Sequence, residues 1–202
     1  MCEWDVAERV RKGQMTNMTT TPTFFPTLQT DRLVLRQLTI ADTDFVFQHF
    51  RDPRVTQYLM DEPPVADYAQ AQAIVNFYLE PEGKTHNRWG IVRKTDNRLM
   101  GTCGYHKWAK VHFRAEIGYD LSPDCWRQGY MTEALGAVIR NGFERMELNR
   151  IEALVYINNH RSLQLLQRLG FKQEGILVDY FHLDKIFYDH CLLALLRREW
   201  EG

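Results

Sequence analysis

The chain has 202 residues, 45% of them hydrophobic and 12% aromatic, with a formal net charge of −1. That composition is globular, long enough for one substantial core, and excludes intrinsic disorder. Near-neutral charge gives no electrostatic case for nucleic acid or an anionic membrane, and no apolar run approaches the ~20 residues that span a bilayer.

Four scattered cysteines (Cys2, Cys103, Cys125, Cys191) show no CxxC pairing, which fits a reduced, cytoplasmic protein better than a disulfide scaffold or zinc site. The histidines show no close ligand spacing, so no metal site is expected. The opening MCEWDVAERVRKG is charged where a secretory leader would be apolar. Residues 1–27, with the Thr-rich QMTNMTTTPT, read as a peripheral or mobile arm, and residues 28–202 as a single domain.

From there the elements come quickly. LVLRQL (33–38) is a strand. Thr39 with Asp42 resembles a capping box opening a helix over 40–50. DPRVTQYL is a second short helix and ADYAQAQAIVNFYLE (66–80) a third, with apolar residues at Ala71, Ile74, Val75 and Tyr78. RWGIVRK (88–94) and RLMGTCGYH (98–106) are neighbouring strands joined by a turn. In FRAEIGYDL (113–121), Phe113, Ala115, Ile117, Tyr119 and Leu121 share one face, and Arg114, Glu116, Gly118 and Asp120 the other. Helical spacing then takes over at Met131, Ala134, Leu135, Val138, Ile139, Phe143 and Met146. RIEALVYI (150–157) is a strand, SLQLLQRL a short helix closed by Gly170, and FKQEGILVDYFH and IFYDHCLLALLRREW two final strands.

The strand-to-helix corner CWRQGYMTEA (125–134) carries the first chemical signal. Unpaired N–H groups at a helix start, with the positive end of its dipole, make an anion site. Gly129 permits close approach to the backbone and Arg127 adds a charge-assisted donor. No GxxxxGK[ST] and no GxGxxG is present, which excludes a P-loop and argues against a dinucleotide Rossmann unit. The second signal is NNHRSLQLLQRLGF (158–171), where Asn159 is placed to cap a helix at the end of a strand and Ser162 falls in its first turn. Two successive strands thus end in helix starts.

EIGYDL, WRQGYMTEA and NNHRSLQLLQRLGF, in that order, resemble the GNAT N-acetyltransferase superfamily. Within it, the chain is similar to the ribosomal-protein branch that acetylates N-terminal alanine or serine, whose usual start matches TDRLVLRQLTIADTDFVF. The resemblance covers about residues 28–200. It implies an α/β (α+β) fold: a twisted, mostly antiparallel sheet of about seven strands, helices on both faces, and a V between strands 4 and 5 holding acetyl-CoA. The pantetheine arm would pair with Tyr119, Asp120 and Leu121. The pyrophosphate would sit on the backbone amides of Arg127, Gln128, Gly129, Tyr130, Met131 and Thr132, and Asn159 would bond the cofactor or hold its own helix turn. Three positions depart from the family pattern: Trp126 opens the loop, Met131 stands where glycine or alanine is usual, and Leu166 replaces a tyrosine many relatives use as acid. In this branch Ser162 stands in for that acid.

Acetyl transfer to an amine needs a neutral amine and a proton for the leaving thiolate. An α-amine of pKa ~7.7–8.0 is already partly neutral at physiological pH, so positioning and a modest base suffice. Glu116, on the polar strand face, is the candidate base; the competing reading pairs it with Arg114 or a neighbouring strand's cation. For Ser162 the competing reading is a first-turn serine bonding backbone, and His106 either lines the acceptor site or is simply satisfied. The leading function is N-acetylation of a protein N-terminal α-amine. The alternatives are a small-amine acetyltransferase, whose acidic cleft would draw on Asp61-Glu62, Glu116, Asp120 and Asp179, and a non-catalytic acyl-CoA sensor. The two long C-terminal strands are candidates for a homodimer contact.

Overall fold

Alternation and helical spacing translate into thirteen elements in a computed structural model that describes residues 23–59 and 63–202. Residues 1–22 and 60–62, with most of the expected arm and the Asp61-Glu62 pair, lie outside the described residues. The strands are β1 (Leu28–Gln29), β2 (Leu33–Gln37), β3 (Asn87–Arg93), β4 (Arg98–Ala109), β5 (Arg114–Leu121), β6 (Arg150–Tyr156), β7 (Lys172–Leu183) and β8 (Ile186–Leu196). The helices are α1 (Thr43–His49), α2 (Pro53–Thr56), α3 (Tyr68–Tyr78), α4 (Tyr130–Glu144) and α5 (His160–Arg168). One sheet runs β1-β2-β3-β4-β5-β6-β8-β7, antiparallel throughout except where β5 meets β6. That is one strand more than the seven expected, because the two-residue β1 pairs with β2. The parting expected between strands 4 and 5 therefore falls between β5 and β6.

The β5–β6 ladder has three registered positions, Arg114 with Arg150, Ala115 with Ile151 and Glu116 with Glu152. Beyond them β5 continues to Leu121 and stays paired to β4, while β6 continues to Tyr156 and stays paired to β8. Their facing edges are left without a strand partner. At the closed end, Glu152 takes Arg114 at 2.9 Å and Arg150 at 2.7 Å, and Arg150 also reaches Glu174 on β7.

Strand parity decides what each face carries. Ala115 and Ile117 project into the main core with Trp89, Ile91, Cys103 and Tyr105, under α4. Tyr105 donates its hydroxyl to the Val138 carbonyl of α4 at 2.8 Å. The opposite face carries α1 and α3, which close a second small core of Val46, Val65, Ala71 and Val75. Val65 N–H donates to the Phe50 carbonyl at 3.1 Å, so the ends of the segment between α1 and α3 are tied together.

Two expectations change at the margins. Phe113 is not part of the apolar strand face: it takes a left-handed turn (φ 50°), and its exposed ring precedes the strand. Residues 24–26, assigned to the arm, are packed into the body. Phe25 is buried edge-to-face against Trp89 and Trp108, and the Phe24, Phe25 and Pro26 carbonyls accept from Asn141, Gln37 and Trp89.

The fit of α4 on the sheet is tight at Gly142, where an added Cβ would collide with the Tyr105 hydroxyl. Gly142→Ala is expected to lower unfolding free energy by about 1–3 kcal/mol through overpacking, read from urea denaturation.

Candidate active site

The parted edges open a cleft of about 590 Å³. One wall is β5 from Tyr119 to Leu121, a second is the corner from Cys125 to Thr132, and a third is the α5 face bearing Asn159, Arg161, Ser162, Leu165 and Arg168. Residues 54–59 of α2 and the following turn close it from the side. The sequence-predicted Tyr119, Asp120, Leu121, Arg127, Gly129, Tyr130, Met131, Thr132, Asn159 and Ser162 all line this one cleft. Gln128 does not. Its side-chain amide donates to the Asp124 carbonyl at 2.8 Å and its backbone carbonyl accepts from Arg32 at 3.0 Å, so neither group is turned to the cleft.

The corner is built as an anion site. Arg127 and Gly129 both take left-handed backbone, φ 60° and φ 80°, and α4 begins at Tyr130 with no side-chain cap on its first turn. The first intrahelical bond is Glu133 N–H to the Gly129 carbonyl, leaving earlier N–H groups of the turn without intrahelical acceptors. Glu133 itself is held by Thr30 and Arg32. Met131 does not crowd the turn as its bulk suggests: its side chain is nearly buried and joins the main core. Trp126 donates to the Leu121 carbonyl at 2.7 Å, and Arg161 stacks over its ring at 5.0 Å. Among the described residues, Arg127, Arg161 and Arg168 have no ion-pair partner, whereas Arg54 is paired with Asp52 at 2.6 Å. Positive charge therefore concentrates in the cleft of a chain whose formal net charge is −1.

On α5, Asn159 caps the helix by accepting from Ser162 N–H at 3.2 Å. The Ser162 hydroxyl is directed elsewhere, 2.6 Å from the Tyr119 hydroxyl. Burial pushes the Tyr119 phenol up from its ordinary value, with the Ser162 hydrogen bond opposing. Leu166 is fully buried in the core.

Glu116 does not join this cleft. It stands at the last paired position of β5, on the opposite face from Tyr119, with its carboxylate 3.0 Å from Lys107 Nζ. The same face holds a buried cluster centred on Asp120. Its Oδ1 accepts from His49 Nε2 at 2.7 Å and Thr102 N–H at 2.9 Å; its Oδ2 accepts from Thr102 Oγ1 at 2.6 Å and from Arg88. Burial opposes ionisation of Asp120, but Arg88 and His49 outweigh it and hold the carboxyl well below the usual range. So Asp120 has only its backbone to offer the cleft. His106 accepts from Arg88 Nη1 at 3.0 Å, and burial together with that guanidinium drives its pKa down to about 3. Burial also raises the Cys103 and Cys125 thiols, so neither is a ready nucleophile. Among the described residues, no group of three His, Cys, Asp or Glu side chains is placed to hold a metal, and no helix is long and apolar enough to cross a membrane.

Sequence reasoning missed Arg54, Arg161, Arg168 and the Tyr119 hydroxyl. Arg161, Ser162, Leu165 and Arg168 follow helical spacing, so the α5 arginines were findable once Ser162 was placed on the cleft. Arg54 and the Tyr119–Ser162 contact join residues far apart in sequence and leave no local signal.

A strand pair parted over an uncapped helix start, lined by arginines without ion-pair partners, is a cleft suited to an extended ligand that carries phosphate groups. Residues 32–172 match the acetyltransferase (GNAT) domain family, and the chain belongs to that family of N-acetyltransferases. It is 37% identical to the uncharacterized N-acetyltransferase YoaA of Bacillus subtilis, over 86% of this chain and 98% of that one. It is 29% identical to the ribosomal protein uS5-alanine N-acetyltransferase of Escherichia coli, over 86% and 92%. Its fold overlays on a spermidine N-acetyltransferase from Vibrio cholerae, solved with CoA and spermine, at a TM-score of 0.76 and 19% identity, covering 86% of this chain and 100% of that one.

His106 sets a pH test of the buried cluster. A folded pKa of about 3 against an unfolded value near ~6.5 means the unfolded chain binds the extra proton between those values. This histidine's contribution is thus whole above pH ~6.5 and declines as pH falls towards ~3, by at most about 1.4 kcal/mol per pH unit. Thermal melts from pH 7 to 4 are expected to show His106→Asn less acid-sensitive than the native chain.

Proposed function

We propose that the protein transfers an acetyl group from acetyl-CoA directly to the α-amine of a protein N-terminus. The single observation that carries this reading is the cleft, where an unpaired strand edge, an uncapped helix start and three arginines without ion-pair partners among the described residues converge. Backbone groups of residues 119–121 would receive the pantetheine arm as an added strand. First-turn N–H groups of α4 with Arg127 would hold the diphosphate, and Arg161 and Arg168 add charge for the remaining phosphate. When bound, acetyl-CoA supplies an acyl group activated as a thioester. Glu116 and the Ser162 hydroxyl act from opposite faces of β5, separating proton removal at the amine from proton delivery at the leaving sulfur. An α-amine asks little of its base, so a Glu116 already paired with Lys107 serves by positioning the amine and a water that takes its proton.

Of the acidic residues that would favour a polycation, Asp120 is taken up by Arg88 and His49 and has no carboxylate to offer the cleft, which supports the peptide reading. The likeness to an enzyme named for uS5 alanine points the same way.

Calorimetry with acetyl-CoA, followed by thiol release on Ala- and Ser-starting peptides and on spermidine, tests the reading. Failure to bind acetyl-CoA overturns it; release only with spermidine moves the acceptor to the polyamines; binding without release on any acceptor leaves a sensor. For a peptide, kcat/KM is expected to rise from pH 6 and level off above ~8, whereas an amine with a pKa near ~10 keeps rising. Arg127→Ala and Arg161→Ala are each expected to weaken acetyl-CoA binding about tenfold, the loss of one charge-assisted contact, with the melting temperature unchanged.

A further inference from the structure

We infer that Tyr119 is a positioning residue for catalysis, turning Ser162 into the proton donor for the departing sulfur through a two-hydroxyl relay. The inference rests on the acetyl-CoA reading above and adds a second residue to its leaving side. Three observations carry it. The helix position that would supply a tyrosine is Leu166, wholly buried, so α5 presents no phenol to the cleft. A phenol arrives instead from the opposite wall, where the Tyr119 hydroxyl lies 2.6 Å from Ser162 Oγ and both residues line the cleft. The backbone-bonding role common for a first-turn serine is also not taken up. Asn159 performs the cap, and the hydrogen bond of the Ser162 hydroxyl is to Tyr119.

The chemistry fixes the direction of the bond. A phenol is far more acidic than an aliphatic alcohol, so Tyr119 donates and Ser162 Oγ accepts. That leaves the serine's only proton for a third partner, and accepting a bond makes the serine a stronger donor. Burial keeps Tyr119 protonated across the physiological range. The balance is then closed. The amine–carbonyl C–N bond forms, the C–S bond breaks, and its electron pair stays on sulfur. Sulfur takes the Ser162 proton, Ser162 takes that of Tyr119, and Tyr119 recovers one from water, while the amine releases its surplus proton to water.

The test combines single-turnover rates with binding. Tyr119→Phe, Ser162→Ala and the double variant are compared for acetyl transfer, and each is titrated with acetyl-CoA, CoA and desulfo-CoA. The relay predicts an acetyl-transfer rate about tenfold or more lower in Tyr119→Phe, with acetyl-CoA affinity unchanged. The double variant should be no slower than Ser162→Ala alone, because the two hydroxyls act as one unit. In the native protein CoA should bind more tightly than desulfo-CoA, and each single variant should erase that difference. An unchanged rate in Tyr119→Phe, or losses that multiply in the double variant, overturns the relay while leaving Ser162 as a lone donor. Unchanged rates in all three variants with acetyl-CoA still bound overturn the Ser162 assignment as well. Loss of acetyl-CoA binding in the native protein removes the cofactor reading beneath both. Should Tyr119→Phe melt early, 3-fluorotyrosine at position 119 replaces it; its ¹⁹F resonance is expected to move on Ser162→Ala and on CoA addition, and a resonance indifferent to both overturns the relay.

Discussion

The structure depends on a ladder that stops after three positions. Parallel strands that stayed paired to their ends would satisfy every backbone group and leave nothing for a ligand. Here β5 and β6 are held together at one end by the Glu152 ion pairs and released at the other, while each stays anchored on its outer side. The exposed edge is stable because β4 and β8 hold the strands rigid from behind. The helix that follows β5 starts beside the opening without a cap, and the helix that follows β6 turns Ser162 and its arginines into it.

Asp120 shows how the rigidity is obtained. A buried, ionised carboxylate is costly unless every lone pair is matched, and here Arg88, His49 and two groups of Thr102 match it. The cluster joins α1, β3, β4 and β5 at the residue whose backbone borders the cleft. Removing one partner would strand a charge, so the face of β5 opposite the hydroxyl pair is fixed by electrostatics and the near face by packing. Glu116 and Tyr119, three residues apart on one strand, thereby hold positions on two faces of a single rigid element.

What the chain revealed in advance was what local chemistry encodes. The period-two run before residue 121, the glycine at 129 and the helical spacing after it are neighbours, so the strand, the corner and the helix start were legible. The Asn159 cap was legible for the same reason. Asp120 was not. Its face reads as solvent-facing because alternation alone cannot show that His49, 71 residues earlier, will cover it. Phe25 was misassigned because a Thr-rich neighbourhood outweighed the aromatic pair that buries itself. The Tyr119 hydroxyl was not legible because its partner lies 43 residues on. Spacing places backbones well; it does not say which distant side chain meets which.

The bond between Val65 and Phe50 has a consequence for how this protein can change. It fastens the ends of the segment between α1 and α3 to each other, and His49 fastens its root to Asp120. The segment is a clasped cassette on a finished frame. Because loop-closure cost grows only with the logarithm of length, about 0.6 kcal/mol per doubling, such a cassette tolerates insertion, deletion and recoding between its clasps. The wall it contributes to the cleft, from Arg54 to Leu59, is therefore carried on a segment joined to the frame at its ends, apart from the strand edge and the helix start.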